Sequence, residues 1–153
     1  MKRVLLLGFG LLSFSAFSME GLMTKDFWIK QMPPGSEVTA AFGEVHNHTT
    51  KDKVLVSVEG DIAESIEVHT HVKENGVMKM RKVEFFKIAP HGSLILKPGG
   101  DHIMFFGLKK TLKESNPIEL TLVFKDGEKK KVKLKVLKSA PEKEEHKHHH
   151  SKH

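Results

Sequence analysis

Short runs in which apolar and polar residues alternate, separated by turn residues at near-regular intervals, fill the chain between Asp26 and Leu137. Alternation with a period of two is the pattern of a strand with one buried face. Turn dipeptides such as Asn75-Gly76 and Asp126-Gly127 stand between neighbouring runs. Without a convincing long helix, this spacing predicts an all-β sandwich of eight or nine strands. The predicted strands are residues 27–29, 38–45, 54–58, 66–72, 77–83, 94–96, 102–106, 118–124 and 132–136.

The first eighteen residues have the composition of a secretory signal peptide. Lys2 and Arg3 precede the apolar run 4–12, and Ala16-Phe17-Ser18 places small residues where a signal peptidase reads the chain. A membrane anchor is the alternative, but the apolar run is too short to cross about 30 Å of hydrocarbon. We therefore expect residues 1–18 to be removed. The folded domain, residues 19–138, is then expected in the periplasm or on the extracytoplasmic face, and not as an integral membrane protein.

The net charge of +6 invites a nucleic-acid-binding interpretation, which the placement of the charges argues against. Lys131, Lys133 and Lys135 alternate with apolar residues, as on the solvated face of a strand. The predicted export signal also separates the chain from nucleic acid. The sequence contains no cysteine, which excludes a thiolate nucleophile, a zinc–thiolate site and a blue-copper centre. Any bound metal must therefore use His, Met or carboxylate ligands.

Methionine and histidine cluster around the predicted hairpin at Asn75-Gly76. If these two residues form the turn, His71 lies directly opposite Met80 on the neighbouring strand. His69 is then the diagonal neighbour of Met80 on the same face, because side chains alternate along a strand. A slip of one residue would reverse the faces, so this prediction depends on the turn.

A second cluster is His102-Ile103-Met104, which places an imidazole and a thioether on one strand face. Thioether sulfur is soft and uncharged, so a site of two imidazoles and two thioethers suits copper(I) better than zinc, calcium or magnesium. Such a site favours holding and passing on copper rather than redox cycling. Alternatively, Met80 and Met104 fill gaps in the core and the histidines are ordinary surface residues. Spacing alone leaves both interpretations open.

The chain resembles the periplasmic PCu(A)C-type copper chaperones, whose pattern is a His, ten residues, a Met, twenty-one residues and His-x-Met. Here ten residues separate His69 from Met80, twenty-one separate Met80 from His102, and Met104 completes the pattern. The resemblance extends over roughly residues 28–136. It includes the flanking segments Pro33-Pro34-Gly35, residues 75–81, Lys97-Pro98-Gly99-Gly100 and residues 107–109.

This resemblance implies a cupredoxin-like, Greek-key β-sandwich that binds one copper(I) ion through His69, Met80, His102 and Met104. It also implies a copper-accepting partner, either cytochrome c oxidase with its binuclear copper centre or another assembly factor. One departure concerns His71, since many relatives carry methionine at that position. An additional imidazole there could join or replace a ligand and raise the tolerance for copper(II).

The composition changes abruptly in the C-terminal tail, residues 139–153, which we expect to be disordered because it has nothing to bury. Its clustered histidines can chelate copper(II), nickel or zinc, so the tail could capture copper(II) for the domain. An expression tag is the alternative, but the irregular interleaving with lysine favours a natural tail. The tail histidines are His146, His148, His149, His150 and His153.

We therefore expect a copper carrier rather than an enzyme, because no Ser-His-Asp arrangement, carboxylate pair or phosphate loop stands out. One rival interpretation is a periplasmic copper buffer or resistance protein that binds metal mainly through the tail histidines. Another is a structural or adhesive exported sandwich whose methionines bind no metal. Copper(I) binding by the domain alone would separate the carrier from both rivals.

Overall fold

The computed structural model describes residues 21–141, and its regular elements are ten β-strands. They are β1 (Leu22–Lys30), β2 (Val38–Asn47), β3 (Lys53–Glu59), β4 (Ala63–Glu74), β5 (Val77–Lys82), β6 (Phe86–Ile88), β7 (Ser93–Leu96), β8 (His102–Leu108), β9 (Ile118–Phe124) and β10 (Lys129–Leu137). The sequence interpretation omitted β6, because a strand of three residues is too short to show alternation.

The first sheet contains β1, β2, β4, β5, β7 and β8, and the second contains β3, β6 and β9. The two sheets are joined by one hydrogen-bonded path. Its order is β5-β4-β8-β2-β1-β10-β9-β3-β6, and β7 pairs with the second half of β2. Residues 129–134 of β10 pair with β9, whereas residues 135–137 pair in parallel with β1. Through β10 the path therefore passes from one sheet to the other. The predicted all-β sandwich is confirmed.

The core lies between the two sheets and follows the period of two. Ile103 and Phe105 of β8 have no exposed surface, and they alternate with residues of the outer face. The same alternation appears in β10, where apolar residues are buried and lysines are exposed, which confirms the predicted solvated face. The buried residues of β10 are Val132, Leu134 and Val136.

A bulge in β1 determines which aromatic rings reach the outer face of the first sheet. The register with β2 shifts between Lys25 and Trp28. Phe27 consequently enters the core against Gly43, where an added Cβ would lie 2.6 Å from the ring. Trp28 lies on the other face, with its ring centroid 4.6 Å from that of Phe42. The histidine and methionine clusters lie on this same outer face.

No helix within residues 21–141 has the length and apolar character needed to span a membrane. The predicted signal peptide and the five tail histidines lie outside the described residues.

Candidate metal centre

The hairpin of β4 and β5 has the predicted register. Asn75 and Gly76 both have positive φ angles, 51° and 82°, as the central residues of a type I′ turn require. His71 is the direct partner of Met80, and the partner of His69 is the residue two positions beyond Met80. His69 is therefore the diagonal neighbour of Met80, and the three side chains share one sheet face.

Strand β8 borders β4 on the side opposite β5 and completes the cluster. His102 is the direct partner of His69, and Met104 is the direct partner of Glu67. The topology therefore places the four residues of the proposed ligand set on three adjacent strands and on one sheet face.

The histidine that departs from the family pattern belongs to the same cluster. The ring centroids of His71 and His102 are 5.1 Å apart, and those of His69 and His102 are 6.0 Å apart. Three imidazoles therefore lie side by side. Met78, by contrast, pairs with Lys73 nearer the hairpin tip and is mostly exposed.

One backbone carbonyl orients two of these imidazoles. The oxygen of Gly100 accepts hydrogen bonds from Nδ1 of His102 at 2.7 Å and from Nδ1 of His71 at 3.1 Å. Because a neutral imidazole carries one proton, Nε2 of each ring keeps its lone pair. These two Nε2 atoms can therefore bind a metal ion.

A carboxylate orients His69 instead. His69 Nε2 donates to Oε2 of Glu67 at 2.8 Å, and Lys82 Nζ donates to Oε1 of the same carboxylate at 2.9 Å. The hydrogen bonds from Lys82 and, to a lesser extent, from His69 hold the pKa of Glu67 below its ordinary value. The carboxylate therefore stays charged at neutral pH. The other ring nitrogen of His69, Nδ1, is buried without a hydrogen-bond partner. A buried nitrogen with a free lone pair is unfavourable unless a ligand such as a metal ion takes it up.

Burial favours the neutral form of His102. It is the largest influence on the pKa of this imidazole and lowers it, and the nearby rings of His71 and His69 act in the same direction. The hydrogen bond to Gly100 opposes the shift without reversing it. Since neutral imidazole is the form that binds metals, His102 is prepared for coordination at neutral pH.

The two thioethers of the cluster differ in exposure. Met104 is 8% exposed, whereas Met80 on the edge strand is 45% exposed. On the β2 side the ring of Phe42 borders His102, with centroids 6.3 Å apart. The cluster is therefore closed by aromatic packing on one side and open to solvent at Met80 on the other.

Within residues 21–141, no three His, Cys, Asp or Glu side chains are arranged to hold a metal ion. The cluster offers a complete donor set only if thioether sulfur takes part, and such a mixed set suits copper(I). Asp101, although adjacent to His102, accepts a hydrogen bond from Thr70 Oγ1 at 2.6 Å and orients no imidazole.

The sequence interpretation missed both groups that orient the imidazoles. Glu67 was detectable, because it precedes His69 by two residues and so lies on the same strand face. The carbonyl of Gly100 was not, since a backbone acceptor leaves no signature in the residue types.

A family model described as "Putative lipoprotein LpqE-like" matches residues 22–136. Among curated proteins, the putative lipoprotein Lxx21020 of Leifsonia xyli subsp. xyli is 37% identical over 109 residues. The uncharacterized protein RP573 of Rickettsia prowazekii is 32% identical over 104 residues. These alignments cover 71% and 67% of this chain but 64% and 58% of the relatives, so the chain spans less than two thirds of their length.

Solved structures share the fold. The copper(I) form of DR1885 from Deinococcus radiodurans is 28% identical, with a TM-score of 0.65 over 80% of this chain and 82% of that chain. Its apo form is 25% identical, with a TM-score of 0.61 over 91% and 93% of the two chains. The apo PCuAC domain of PmoF1 is 22% identical, with a TM-score of 0.64 over 78% and 94%, and supports the fold alone. The resemblance to PCu(A)C-type domains and the cupredoxin-like sandwich it implies are thereby confirmed.

Proposed function

The chain belongs to the LpqE-like family, and on that premise we propose that it is a chaperone that binds one copper(I) ion and delivers it to another protein. The observation that carries this proposal is the cluster on β4, β5 and β8, where imidazoles with free nitrogens meet thioethers on one sheet face. The solved relative DR1885 is described with copper(I), which supports the choice of ion.

The proposed ligands are His69, Met80, His102 and Met104. His69 would bind through Nδ1 and His102 through Nε2, the nitrogens that their hydrogen bonds leave free. Neutral imidazoles and uncharged thioethers form a donor set without negative charge, which retains a soft monovalent ion better than a divalent competitor.

Exposure at Met80 suits transfer of the ion. Met80 lies on the edge strand and is half-exposed, whereas Met104, His69 and His102 are buried. A recipient that approaches at β5 can replace the sulfur of Met80 first, while the buried ligands still hold the ion. No charged thiolate bond has to break during this exchange, because the sequence contains no cysteine.

His71 is a further proposed donor. It lies directly opposite Met80, and the hydrogen bond from its Nδ1 to Gly100 leaves Nε2 free. A third imidazole can take the place of Met80 when that sulfur leaves, and it raises the tolerance for copper(II), which accepts nitrogen donors readily.

The proposed place of action is outside the cytoplasm. The N-terminal segment is predicted to be a signal peptide, and a curated relative is described as a putative lipoprotein. The proposed recipient is the binuclear copper centre of cytochrome c oxidase or an assembly factor that loads it. In this role the chain carries an ion and catalyses no reaction.

Transfer to a recipient tests the proposal. The full-length chain, loaded with one equivalent of copper(I), is mixed under reducing conditions with the metal-free copper-binding domain of the oxidase, and the copper in each protein is measured after separation. We expect the wild-type chain to load the recipient and the Met80→Leu/Met104→Leu variant to deliver far less copper. Copper that stays with the chain in every mixture would contradict the chaperone function and favour a buffer, with the tail histidines as its main ligands.

A further inference from the structure

The chain contains a second copy of the short motif around His69. Residues 67–71 read Glu-Val-His-Thr-His, and residues 44–48 read Glu-Val-His-Asn-His. The first copy lies in β4, and the second lies in β2 and the residue that follows it. In each copy the glutamate and both histidines occupy alternate positions, so they share one sheet face. The second copy has no part in the site described above.

The second copy also faces a methionine across an antiparallel strand pair. Met23 of β1 is the direct partner of His46 in β2, as Met80 of β5 is the direct partner of His71 in β4. Side chains paired in this way have Cβ atoms about 5 Å apart. The thioether of Met23 and the imidazole of His46 are therefore neighbours on the same face.

The two imidazoles of the second copy lie side by side. The ring centroids of His46 and His48 are 6.3 Å apart, and their planes are inclined by 25°. In the first cluster, formed on β4, β5 and β8, the rings of His69 and His102 have a similar separation of 6.0 Å. The backbone N–H of His48 donates to the carbonyl of Gly21 at 3.0 Å, which anchors the main chain below an exposed ring.

A carboxylate orients His46 as Glu67 orients His69, and a serine hydroxyl contacts the other ring nitrogen of His46. Nε2 of His46 lies 3.1 Å from Oε2 of Glu44, and Nδ1 lies 2.7 Å from Oγ of Ser93. Since the carboxylate accepts the Nε2 proton, Nδ1 keeps its lone pair and accepts the hydroxyl proton of Ser93. Ser93 is exposed, so its hydroxyl can turn to water and leave Nδ1 to a metal ion.

The two copies are too far apart to share one ion. His46 lies four residues beyond Phe42 along β2, and the ring of Phe42 borders His102 of the first cluster. At about 3.3 Å per residue, this corresponds to about 13 Å along the same sheet face.

We propose that Met23, His46 and His48 form a second copper(I) site on the outer face of the first sheet. Within residues 21–141, no third His, Cys, Asp or Glu joins the two histidines in a metal-binding arrangement. The thioether is therefore needed to complete the donor set, and thioether sulfur favours copper(I) over zinc. This inference goes beyond the proposed function, because it concerns a second ion and does not require the first site to bind.

The methyl signals of the methionines test the second site, because each methyl group reports on its own sulfur. Copper(I) is added under reducing conditions to the full-length chain labelled with ¹³C at the methionine methyl groups. We expect the Met23 signal to shift in the wild type and also in the Met80→Leu/Met104→Leu variant. Met32, in the loop after β1, is the internal reference and should stay in place.

The matched variant is His46→Gln/His48→Gln, whose two side chains reach the surface, so an amide spectrum like that of the wild type is expected. In this variant we expect the Met23 shift to disappear while Met80 and Met104 respond as before. A Met23 signal that stays fixed at saturating copper(I), or that still shifts in the variant, overturns the second site. Fixed Met80 and Met104 signals would count against the proposed function alone.

Discussion

The buried Nδ1 atom of His69 has no hydrogen-bond partner within residues 21–141 and is the atom of the first cluster that gains most from binding an ion. Burying a hydrogen-bonding group without a partner costs about 1–3 kcal/mol. The hydrogen bond from Nε2 to Glu67 keeps the ring proton on Nε2, so Nδ1 carries a lone pair that accepts no hydrogen bond. An ion that binds this nitrogen removes that cost and stabilises the folded state over the unfolded state. The arrangement therefore favours a loaded protein.

At this scale Glu67 has a testable role as a positioning residue. In Glu67→Gln an amide replaces the carboxylate that fixes the proton on His69 Nε2, so the lone pair on Nδ1 is held less firmly. Loss of a group that orients a metal-binding histidine typically costs about 10–100-fold in metal affinity. We expect a loss of this size in the dissociation constant for copper(I), measured by competition with a chelator.

The matched control is Glu74→Gln on the same strand. Glu74 pairs with Arg81 and Lys79 at the surface, where an ion pair contributes little to stability. Within residues 21–141 it forms no hydrogen bond with an imidazole. This control should keep the wild-type copper(I) affinity. Equal affinities for the wild type and Glu67→Gln would show that the carboxylate does not position His69.

The residues of the first cluster differ in how far they could be predicted. The spacing of His69, Met80, His102 and Met104 stands out in the sequence once compared with the family pattern. His71 stood out as a departure from that pattern. The free nitrogens of these rings could not be predicted, because they depend on a carboxylate and on the backbone carbonyl of Gly100.

Among the elements, β5 depends most on its turn. All six of its residues are exposed, and it lies at the end of the strand order with β4 as its one neighbour in that path. The position of Met80 is therefore determined by pairing with β4 and by the turn at Asn75 and Gly76, not by core packing.

The turn can be weakened by Gly76→Ala. Gly76 has φ of 82°, and an added Cβ would meet nothing within 4 Å, so the substitution changes backbone strain alone, by about 1–2 kcal/mol. Because β5 packs against no core, we expect the strain to open the hairpin locally. Amide hydrogen exchange in residues 77–82 should accelerate, and copper(I) should dissociate faster.

Gly35→Ala provides the matched control for the turn. Gly35 also has a positive φ, 85°, with nothing within 4 Å of an added Cβ, but it lies in the loop before β2. Gly35→Ala should introduce a backbone strain similar to that of Gly76→Ala. It should leave amide exchange in β5 and the dissociation of copper(I) unchanged. Equal copper(I) dissociation from the two variants would contradict a specific role for the hairpin.

The elements could be predicted from local sequence signals, whereas the pairing of strands far apart in the chain could not. The register of β4 and β5 followed from Asn75-Gly76, because a two-residue turn fixes which residues face each other. The pairing of β8 with β4 has no comparable signal, since a long segment of chain separates them. That pairing decides that His102 lies beside His69.

In the whole molecule, both proposed copper(I) sites lie on the outer face of the first sheet. The second sheet covers its inner face, so residues that alternate away from the core collect on the other side. Aromatic rings of Trp28 and Phe42 occupy the middle of this face. The proposed copper clusters flank them, one toward the edge strand β5 and one toward the end of β2.

A competition titration of the full-length chain with copper(I) against a chromophoric chelator tests the central claim most directly. It compares the wild type with Met80→Leu/Met104→Leu, which keeps apolar volume at a cost of less than about 1.5 kcal/mol per substitution. A third protein has the five tail histidines replaced by asparagine. We predict that the wild type and the tail variant hold their tightest copper(I) equivalent alike and that the methionine variant loses it. Retention of this affinity by the methionine variant, or its loss in the tail variant, would contradict the proposed copper(I) site at His69, Met80, His102 and Met104.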